Sequence, residues 1–460
     1  MTVSVVIGLL LQLLALWLVH VTIRGQWLRH TGAMLLTVAV IYQGVTELMQ
    51  SLFPGREHSY RYLVRQDAID NWVLLVSAAI LLFAVGYVGS LRLAGRRTGL
   101  PHGAPADPAG YLRDLKLRWL LISIVPLMIT ALTGRGETAQ TTTSNGVTQT
   151  GYALAGLTEQ FYVLLVGICG AALIARYGTR WMLPLFVVQG GLIALAGQRM
   201  AVVIACVLSL YGAAVCGVRP TRKQLTSTVL ALAFLAMAIS SARAAVGRDA
   251  FASGGDLTGR ILAVAQGVEN LPRADGAVLD DVVYRFDGNA FGAIVTESLS
   301  RGAETVGLTT VKNDLLLAVP SLLYPTKIDT PLRDRSEEVY LMERYGLPLT
   351  VDYLPGLFGT IVSYYGPLGL VLIAVLIGMV WAVVDRWILD RASPLRMILG
   401  LGLTLCALSY EKGPAYYPAA MRGVLLFAFL LWVIQQVNNR NGAAARRTAT
   451  PKPASPVTTR

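Results

Sequence analysis

Residues 3–22 read VSVVIGLLLQLLALWLVHVT and indicate what class of protein the chain belongs to. These 20 residues include no Asp, Glu, Lys or Arg. A helix of this length is about 30 Å long, which matches the hydrocarbon thickness of a bilayer. The stretch is too long for the apolar core of a signal peptide and no basic segment precedes it, so we expect a retained membrane helix.

Apolar blocks of similar length recur along the 460 residues, so chain length here measures membrane spans rather than globular domains. Hydrophobic residues make up 54% of the chain and charged residues only 14%, against about 25% charged in soluble domains. We predict an all-α, polytopic membrane helix bundle with about eleven transmembrane helices. The predicted spans are 3–22, 32–53, 71–92, 119–133, 156–175, 181–197, 200–217, 226–246, 356–384, 395–411 and 417–437.

The distribution of basic residues predicts the orientation of the bundle. If the C-terminal tail is cytoplasmic, the loops on its side hold 21 of the 39 Lys and Arg residues, and the opposite side holds eight. The positive-inside rule then places the N-terminus outside and the C-terminus inside. Most of the net charge of +12 therefore reflects topology, which argues against a nucleic-acid partner and leaves the lipid bilayer.

One connection is far longer than the others. Residues 247–355 contain 16 of the 27 acidic residues and lie outside on the predicted topology. Such a loop is usually functional or disordered, and helical spacing within it favours an ordered extracytoplasmic loop with short helices. The predicted organisation is 1–246 for spans one to eight, 247–355 for the large loop, 356–437 for spans nine to eleven, and 438–460 for a disordered basic cytoplasmic tail.

Sequence motifs of soluble enzymes, such as phosphate-binding loops and zinc-protease or serine-hydrolase signatures, are absent. The four cysteines lie in apolar blocks without metal-ligand spacing, so we expect no metal and no cofactor. Ionisable residues in or beside membrane spans are costly, and they become the functional candidates. The candidates share the outer side of the predicted bundle: Glu47, Glu159, Arg199, Arg243, Glu411 and Lys412.

This grouping favours a hydrated cavity open to the extracytoplasmic face, the alternative being side chains that snorkel or pair locally. Arginine is always charged and its guanidinium fits phosphate oxygens, so arginines at a membrane cavity favour a lipid phosphate or a polyprenyl diphosphate. For the two loop arginines, salt bridges to Asp249 and Asp287 are the alternative. The chosen arginines are Arg199, Arg243, Arg248 and Arg285.

Three stretches resemble a known family. ALAGQRMAVVIACVLSLYG at 194–212 is similar to its Gly-x-Arg step between two helices, and LAVPSLLYPTKIDTP at 317–331 to its apolar-Pro-aromatic-Pro-x-Lys loop segment. LPGLFGTIVSYYGPLGLVLIAVLIG at 354–378 resembles the Tyr-Gly-x-x-Gly helix that follows the large loop. Together they resemble the O-antigen polymerase (Wzy-type), or oligosaccharide repeat-unit polymerase, family.

The resemblance implies a GT-C-like, metal-independent glycosyltransferase of the bacterial inner membrane. Its substrate is undecaprenyl-diphosphate-linked oligosaccharide, polymerised into a surface polysaccharide at the outer face, with a chain-length regulator as a protein partner. Arginines then stabilise the diphosphate leaving group and a carboxylate activates the acceptor hydroxyl. The implied catalytic residues are Arg199, Arg243, Arg248, Asp249 and Glu411; the implied substrate-binding residues are Arg285, Asp287, Glu297, Lys327, Arg335, Tyr364, Tyr365 and Lys412. The base stays open among Asp249, Asp287, Glu297 and Glu411.

Other functions remain open at this point. A glycosyltransferase that uses a polyprenyl-phosphate sugar could place its carboxylates at Asp67 and Asp70. An O-antigen ligase is disfavoured because residues 247–355 contain no histidine, which ligases of this kind have in the large loop. A transporter or flippase of lipid-linked sugars predicts ionisable groups on both sides of the membrane midplane.

Overall fold

Regular secondary structure in the described part of the chain is helical. The structure is a computed structural model that describes residues 2–52, 64–97, 164, 167–195, 199–218, 220–246, 262, 265–266, 268–269, 287–307, 311–312, 315–316, 319, 337–346, 355–390, 394–414, 416–418, 420–425, 428–429 and 432. Every secondary-structure element within these ranges is a helix or a helical turn. The predicted span 119–133 and the tail 438–460 lie outside the described residues.

The principal helices are α1 (Val3–Thr22), α2 (Thr31–Leu52), α3 (Gln66–Arg97), α4 (Gly167–Tyr177), α5 (Met182–Leu195), α6 (Arg199–Val215), α7 (Arg222–Val246), α8 (Asn289–Ser300), α9 (Glu337–Arg344), α10 (Gly356–Asp390) and α11 (Pro394–Leu408). A 3-10 turn, Tyr410–Lys412, follows α11.

Four helices in the described ranges are long and apolar enough to cross a membrane by length and composition: α1, α2, α10 and the part of α3 from Gln66 to Leu93. Shorter apolar helices accompany them, including α4 and the Leu395–Leu408 part of α11. The protein is therefore a helical membrane protein. The number of eleven spans and a GT-C-like arrangement stay predictions.

Helix α1 lies at the edge of the bundle, and the face that contains Gln12 packs against the other helices. Its buried residues form one stripe that includes Val5, Gln12 and Val19, whereas Leu10 and Trp17 are about three-fifths exposed, at 60% and 59%. Within the stripe, the Gln12 side-chain amide donates to the Ser77 hydroxyl of α3 at 2.8 Å. In lipid such a pair fixes the rotation of a helix, because an unsatisfied amide in hydrocarbon is costly.

Helix α3 packs closely against α10 because glycines occupy their crossing. A Cβ atom at Gly86 would overlap the backbone carbonyl of Val375, and one at Gly378 would overlap the carbonyl of Phe83. Small residues allow membrane helices to approach until backbone contacts backbone, which increases van der Waals attraction. Helix α3 also contacts α1 and α8, so it occupies the centre of the described bundle.

Helix α10 is broken at Gly366, whose φ of 73° and ψ of −179° are not helical. Pro367 follows and has no N–H to donate, so carbonyls of the preceding turn need other partners. The loop backbone supplies them, because the N–H of Val306 donates to Ser363 O at 2.9 Å and that of Gly307 donates to Tyr364 O at 3.3 Å. The loop segment that follows α8 is thus hydrogen-bonded to the break.

A tyrosine that directly follows α9 also binds to the break in α10. Tyr345 donates its hydroxyl hydrogen bond to the carbonyl of Ser363 at 3.3 Å. Burial raises the pKa of the Tyr345 phenol to about 12, so the group stays protonated and remains a donor at neutral pH.

The large loop contributes to the hydrophobic core. Phe291 of α8 is 2% exposed and packs against Gly359 of α10, while Gly292 lies against the fully buried ring of Trp72 in α3. Sequence spacing predicted helical structure here, and the helix ends at Ser300. The loop helix is therefore embedded between two long helices, a depth that the sequence did not indicate.

Several predicted helix ends differ from the structure, and α3 extends from Gln66 to Arg97 where 71–92 was predicted. Helix α10 continues to Asp390, beyond the predicted end at 384, and α11 ends at Leu408, before the predicted end at 411. The errors in α10 and α11 come from charged residues. Asp385 stopped the apolar run although it is buried within the helix, and Glu411 was included although it belongs to the separate turn after α11.

Candidate functional site

The middle of α2 opens into a π-helical turn at Ile41–Val45. The N–H of Thr46 donates to the carbonyl of Ile41, five residues back, instead of to that of Tyr42. The widened turn leaves carbonyls available to donors from outside the helix. Gly288 N–H donates to Tyr42 O at 3.2 Å, and the Asn289 amide donates to Gln43 O at 2.9 Å. Turns of this kind inside helices are frequent at functional sites.

Glu411 is held against this turn. Its carboxylate is buried, at 6% exposure, and accepts a hydrogen bond from the Tyr42 hydroxyl at 3.0 Å. The rings of Tyr42 and Tyr410 contact each other with centroids 5.4 Å apart, and Gln43 donates to the Tyr410 hydroxyl at 3.2 Å. Two consecutive residues of the turn after α11 are therefore positioned by two consecutive residues of α2.

Gln43 links the turn to the centre of the bundle. Its side-chain oxygen accepts the indole N–H of Trp72 at 3.2 Å, while its amide nitrogen serves Tyr410. The residue is completely buried and both ends of its side chain are hydrogen-bonded. Buried polar networks with satisfied members are rigid, so Gln43 fixes the position of the widened turn relative to α3.

The large loop completes the arrangement at residues 287–289. Asp287 accepts the backbone N–H of Asn289 at 3.0 Å and the side-chain amide of Gln50 at 3.3 Å. The Asn289 amide also donates to Glu47 at 3.2 Å. Asn289 is fully buried, and its side-chain oxygen has no hydrogen-bond partner. Asn289 of the loop thus donates to two carboxylates, to Asp287 from its backbone N–H and to Glu47 from its side-chain amide.

We refer to these residues together as the Glu411 cluster. It brings three buried carboxylates, Glu47, Asp287 and Glu411, into one hydrogen-bonded network, and none of the three lacks a partner. The described residues hold no group of three or more His, Cys, Asp or Glu side chains arranged to bind a metal ion. The cluster consists of Tyr42, Gln43, Glu47, Gln50, Trp72, Asp287, Asn289, Tyr410 and Glu411.

Next to the buried Glu411, Lys412 is exposed and places its ammonium 4.7 Å from the centre of the Tyr416 ring. Consecutive residues of one turn therefore present a buried acceptor and an exposed cation. A carboxylate of this kind can accept a proton from a hydroxyl, and an ammonium can bind a phosphate as a point charge.

A second polar cluster, the Asp385 cluster, lies at the N-terminal end of α2. Asp385 of α10 is 1% exposed and accepts hydrogen bonds from the backbone N–H groups of Thr31 and Gly32, each at 2.9 Å. It also accepts the hydroxyls of Thr31 and Tyr87, the latter at 2.6 Å. A carboxylate at a helix N-terminus satisfies free N–H groups and interacts favourably with the helix dipole. Asp385 therefore joins α10 to the start of α2.

His30 extends the Asp385 cluster toward the surface. Its Nδ1 lies 3.1 Å from the Tyr87 hydroxyl and 3.9 Å from an Asp385 oxygen. Burial lowers the pKa of His30, Asp385 opposes this effect, and Arg29 adds to the lowering. Because the Tyr87 hydroxyl donates to Asp385, its oxygen is available to accept from His30 Nδ1–H in the neutral ring.

The predicted site residues fall into four groups. Asp287 and Glu411 lie in the Glu411 cluster, together with Glu47, which the sequence had grouped with Glu411. Glu297 pairs with Arg301 on α8, Tyr364 is buried beside the α10 break, and Tyr365 is 40% exposed. The structure places Arg199 at the start of α6 and Arg243 in α7 by their backbones alone. Outside the described residues lie Glu159, Arg248, Asp249, Arg285, Lys327 and Arg335.

Sequence reasoning missed several residues of both clusters. In the Glu411 cluster these are Tyr42, Gln43, Gln50, Trp72, Asn289 and Tyr410. The run IYQGVTE at 41–47 was the available signal, because it places polar residues within an otherwise apolar helix. Asp385 was missed because it was assigned to a loop.

No protein-family model, curated protein or solved structure matches the chain, so its likeness to other proteins rests on the three sequence stretches given above.

Proposed function

We propose that the protein is a membrane glycosyltransferase that polymerises undecaprenyl-diphosphate-linked oligosaccharide repeat units at the outer face of the bacterial inner membrane. The observation that carries this proposal is the turn Tyr410–Lys412. It offers a buried carboxylate held at 3.0 Å by Tyr42 and an exposed ammonium on the next residue. The resemblance to the oligosaccharide repeat-unit polymerases supports the same function.

In the proposed reaction Glu411 acts as the general base. It accepts the proton of a sugar hydroxyl on the lipid-linked acceptor while that oxygen forms a bond to the anomeric carbon of the donor. The bond between the anomeric carbon and the diphosphate oxygen breaks, and the undecaprenyl diphosphate leaves with the electron pair. Lys412, with Arg199 and Arg243, stabilises the negative charge that develops on the leaving group.

The predicted topology supports this assignment of sides. With the N-terminus outside, α2 runs from the cytoplasm outward, so its widened turn and Glu47 lie toward the outer face. The large loop lies on that face and contributes Asp287 and Asn289 to the cluster. A site built from membrane helices and an outer loop suits a substrate with a lipid anchor and a soluble sugar.

The test is reconstitution of the purified protein in liposomes with a synthetic undecaprenyl-diphosphate-linked repeat unit. The expected product is a ladder of lengths separated by one repeat. Arg199→Ala is expected to abolish chain extension while the protein stays inserted and folded. Arg180→Ala, which removes an exposed arginine from the turn before α5, serves as the matched control. Release of no product longer than one repeat by the wild-type protein contradicts the proposal.

A transporter of lipid-linked sugars is the second candidate, because Asp385 places a buried ionisable group at the other end of α2. A flippase predicts such groups on both sides of the midplane. The two functions differ in a deletion strain, where single repeats accumulate on the outer face if polymerisation is lost and on the cytoplasmic face if transport is lost.

The alternative with catalytic carboxylates at Asp67 and Asp70 gains no support from their surroundings. Asp67 pairs with Arg65, and its side chain is 61% exposed. Asp70 accepts from Gln66 on the same helical turn. Both are consistent with a solvated start of α3.

A further inference from the structure

Tyr42 touches Glu411 through its hydroxyl and is itself immobilised. It is 2% exposed, its ring lies against Tyr410, and its hydroxyl donates to one oxygen of the Glu411 carboxylate. Tyr42 belongs to α2, whereas Glu411 follows α11, so the hydrogen bond joins two separate parts of the bundle. The position of the carboxylate therefore depends on the position of α2.

The π-helical turn explains how α2 can serve this purpose. The same turn that carries the Tyr42 side chain also accepts Gly288 N–H on the Tyr42 carbonyl. One residue thus contacts the proposed base with its side chain and the large loop with its backbone. A regular α-helical turn would direct the Tyr42 carbonyl to the N–H of Thr46 and leave the loop without this acceptor.

Charged and titratable groups surround Glu411 on several elements. Tyr42 comes from α2, and Tyr410 and Lys412 from its own turn. Glu47 of α2 and Asp287 of the loop belong to the same cluster through Asn289. Among these groups Tyr42 has the described hydrogen bond to the Glu411 carboxylate. A hydroxyl donor stabilises the ionised carboxylate and fixes which oxygen faces the reactants.

We propose that Tyr42 is a positioning residue, which orients the Glu411 carboxylate to accept the proton of the acceptor hydroxyl. This inference rests on the proposed function. It assigns no contact between Tyr42 and the substrate. Removing the hydroxyl lets the carboxylate rotate and favours its protonated form, so both the rate and the pH dependence of the reaction change.

The experiment compares Tyr42→Phe with Tyr87→Phe in the reconstituted polymerisation assay over a range of pH. Each variant removes one hydroxyl that donates to a buried carboxylate, Glu411 in the first case and Asp385 in the second. Tyr42→Phe is expected to lower kcat by about 10- to 100-fold and to move the acid limb of the pH–rate profile to higher pH. Tyr87→Phe is expected to lower thermal stability and leave the pH–rate profile unchanged.

A second substitution separates positioning from folding. Incorporating 3-fluorotyrosine at position 42 keeps the shape of the ring and makes the hydroxyl a stronger donor. The acid limb is then expected to move to lower pH, opposite to the effect of Tyr42→Phe. A merely structural role for Tyr42 predicts no such movement, so an unchanged profile in the fluorotyrosine protein overturns the proposal even if Tyr42→Phe fails to fold.

The outcomes also distinguish this inference from the proposed function. If Glu411→Gln is inactive and both Tyr42 substitutions keep the wild-type rate and profile, the positioning role is wrong and the base assignment stands. If Glu411→Gln polymerises normally, Glu411 is not the base and the positioning role fails with it. If the wild-type protein forms no polymer, the proposed function itself fails.

Discussion

Helix α2 meets buried carboxylates at its first turn and at its widened middle turn, and the two places are built differently. Asp385 is surrounded by donors, two of them the free N–H groups of a helix start. At the middle turn three carboxylates share hydroxyls and amides, and the Asn289 oxygen has no hydrogen-bond partner.

The difference indicates how each cluster is used. A single carboxylate with backbone donors stabilises a helix junction and gains little from a ligand. A group of carboxylates assembled from α2, the loop and the turn after α11 costs stability through desolvation, which proteins accept mainly at functional sites. We therefore expect changes in the Asp385 cluster to alter stability and changes in the Glu411 cluster to alter activity.

The largest effect is expected from Glu411→Gln. The amide keeps the size of the side chain and its oxygen can still accept from Tyr42, but it cannot accept a proton from the acceptor sugar. We expect a loss of about 10²- to 10⁴-fold in the rate of polymer formation with little change in melting temperature. The measurement is the initial rate of ladder formation beside a thermal melt in detergent. A variant that unfolds, or one that retains full activity, contradicts the comparison.

The reciprocal change is Asp385→Asn. It removes the negative charge at the start of α2 and leaves one of the two backbone N–H groups without an acceptor. We expect a loss of about 2–3 kcal/mol in the free energy of unfolding. Activity per folded molecule should stay at the wild-type level, which chemical unfolding combined with the polymerisation assay can establish. A folded but inactive Asp385→Asn protein would contradict the structural role assigned to the Asp385 cluster.

Two glycines provide the same steric change at the two places. A Cβ atom at Gly32 overlaps the Tyr87 ring in the Asp385 cluster, and one at Gly292 overlaps the Trp72 ring in the Glu411 cluster. Each alanine substitution is expected to cost about 1–3 kcal/mol of stability. Only Gly292→Ala should also reduce activity, because it displaces α8 and with it Asn289.

The control for both is Gly89→Ala. Gly89 lies in α3, where a Cβ atom would meet nothing within 4 Å. Alanine is the better helix former, so this change should be neutral or stabilise the protein by up to about 1 kcal/mol. Equal losses of activity in Gly32→Ala and Gly292→Ala would contradict the expectation that only the Glu411 cluster is needed for activity.

The smallest effect concerns pH. Because burial lowers the pKa of His30, the unfolded chain binds a proton at this residue more readily than the folded protein does. Neutral His30 therefore contributes fully to the free energy of unfolding above its unfolded pKa of about 6.5. This contribution is lost as the pH falls from there through the folded pKa. We expect His30→Asn to flatten the decrease in melting temperature between pH 7 and pH 5. An unchanged slope would show that His30 does not contribute.

The sequence predicted the helical class and several helix bounds closely because lipid imposes length and apolarity on each span. The predicted spans 3–22 and 32–53 agree with α1 and α2 within one residue. The alternation of helices put Glu47 and Glu411 on one side of the predicted bundle, and the structure has both in the Glu411 cluster. These predictions need only hydropathy and the order of the helices.

The contacts within the site could not be predicted in the same way. The Glu411 cluster joins residues from positions 42, 289 and 411, and no periodicity relates them. The π-helical turn depends on donors outside α2. Gly288 and Asn289 supply the hydrogen bonds that the carbonyls of Tyr42 and Gln43 do not receive within the helix. Asp385 looked like a loop residue because a charged residue ends an apolar run. The four donor groups that stabilise its buried carboxylate come from α2 and α3, which are distant in sequence.

The break in α10 has a consequence for how the loop and the membrane helices move together. The part of α10 from Pro367 to Asp390 is about 36 Å long, enough to cross the hydrocarbon without the preceding turns. The turns before Gly366 are thus not needed to span the membrane. They are bound instead to the loop, through hydrogen bonds from the backbone N–H groups of Val306 and Gly307. Withdrawing that loop would expose carbonyls that Pro367 cannot help to satisfy, so amide exchange at Val306 should report the opening of α8 from the bundle.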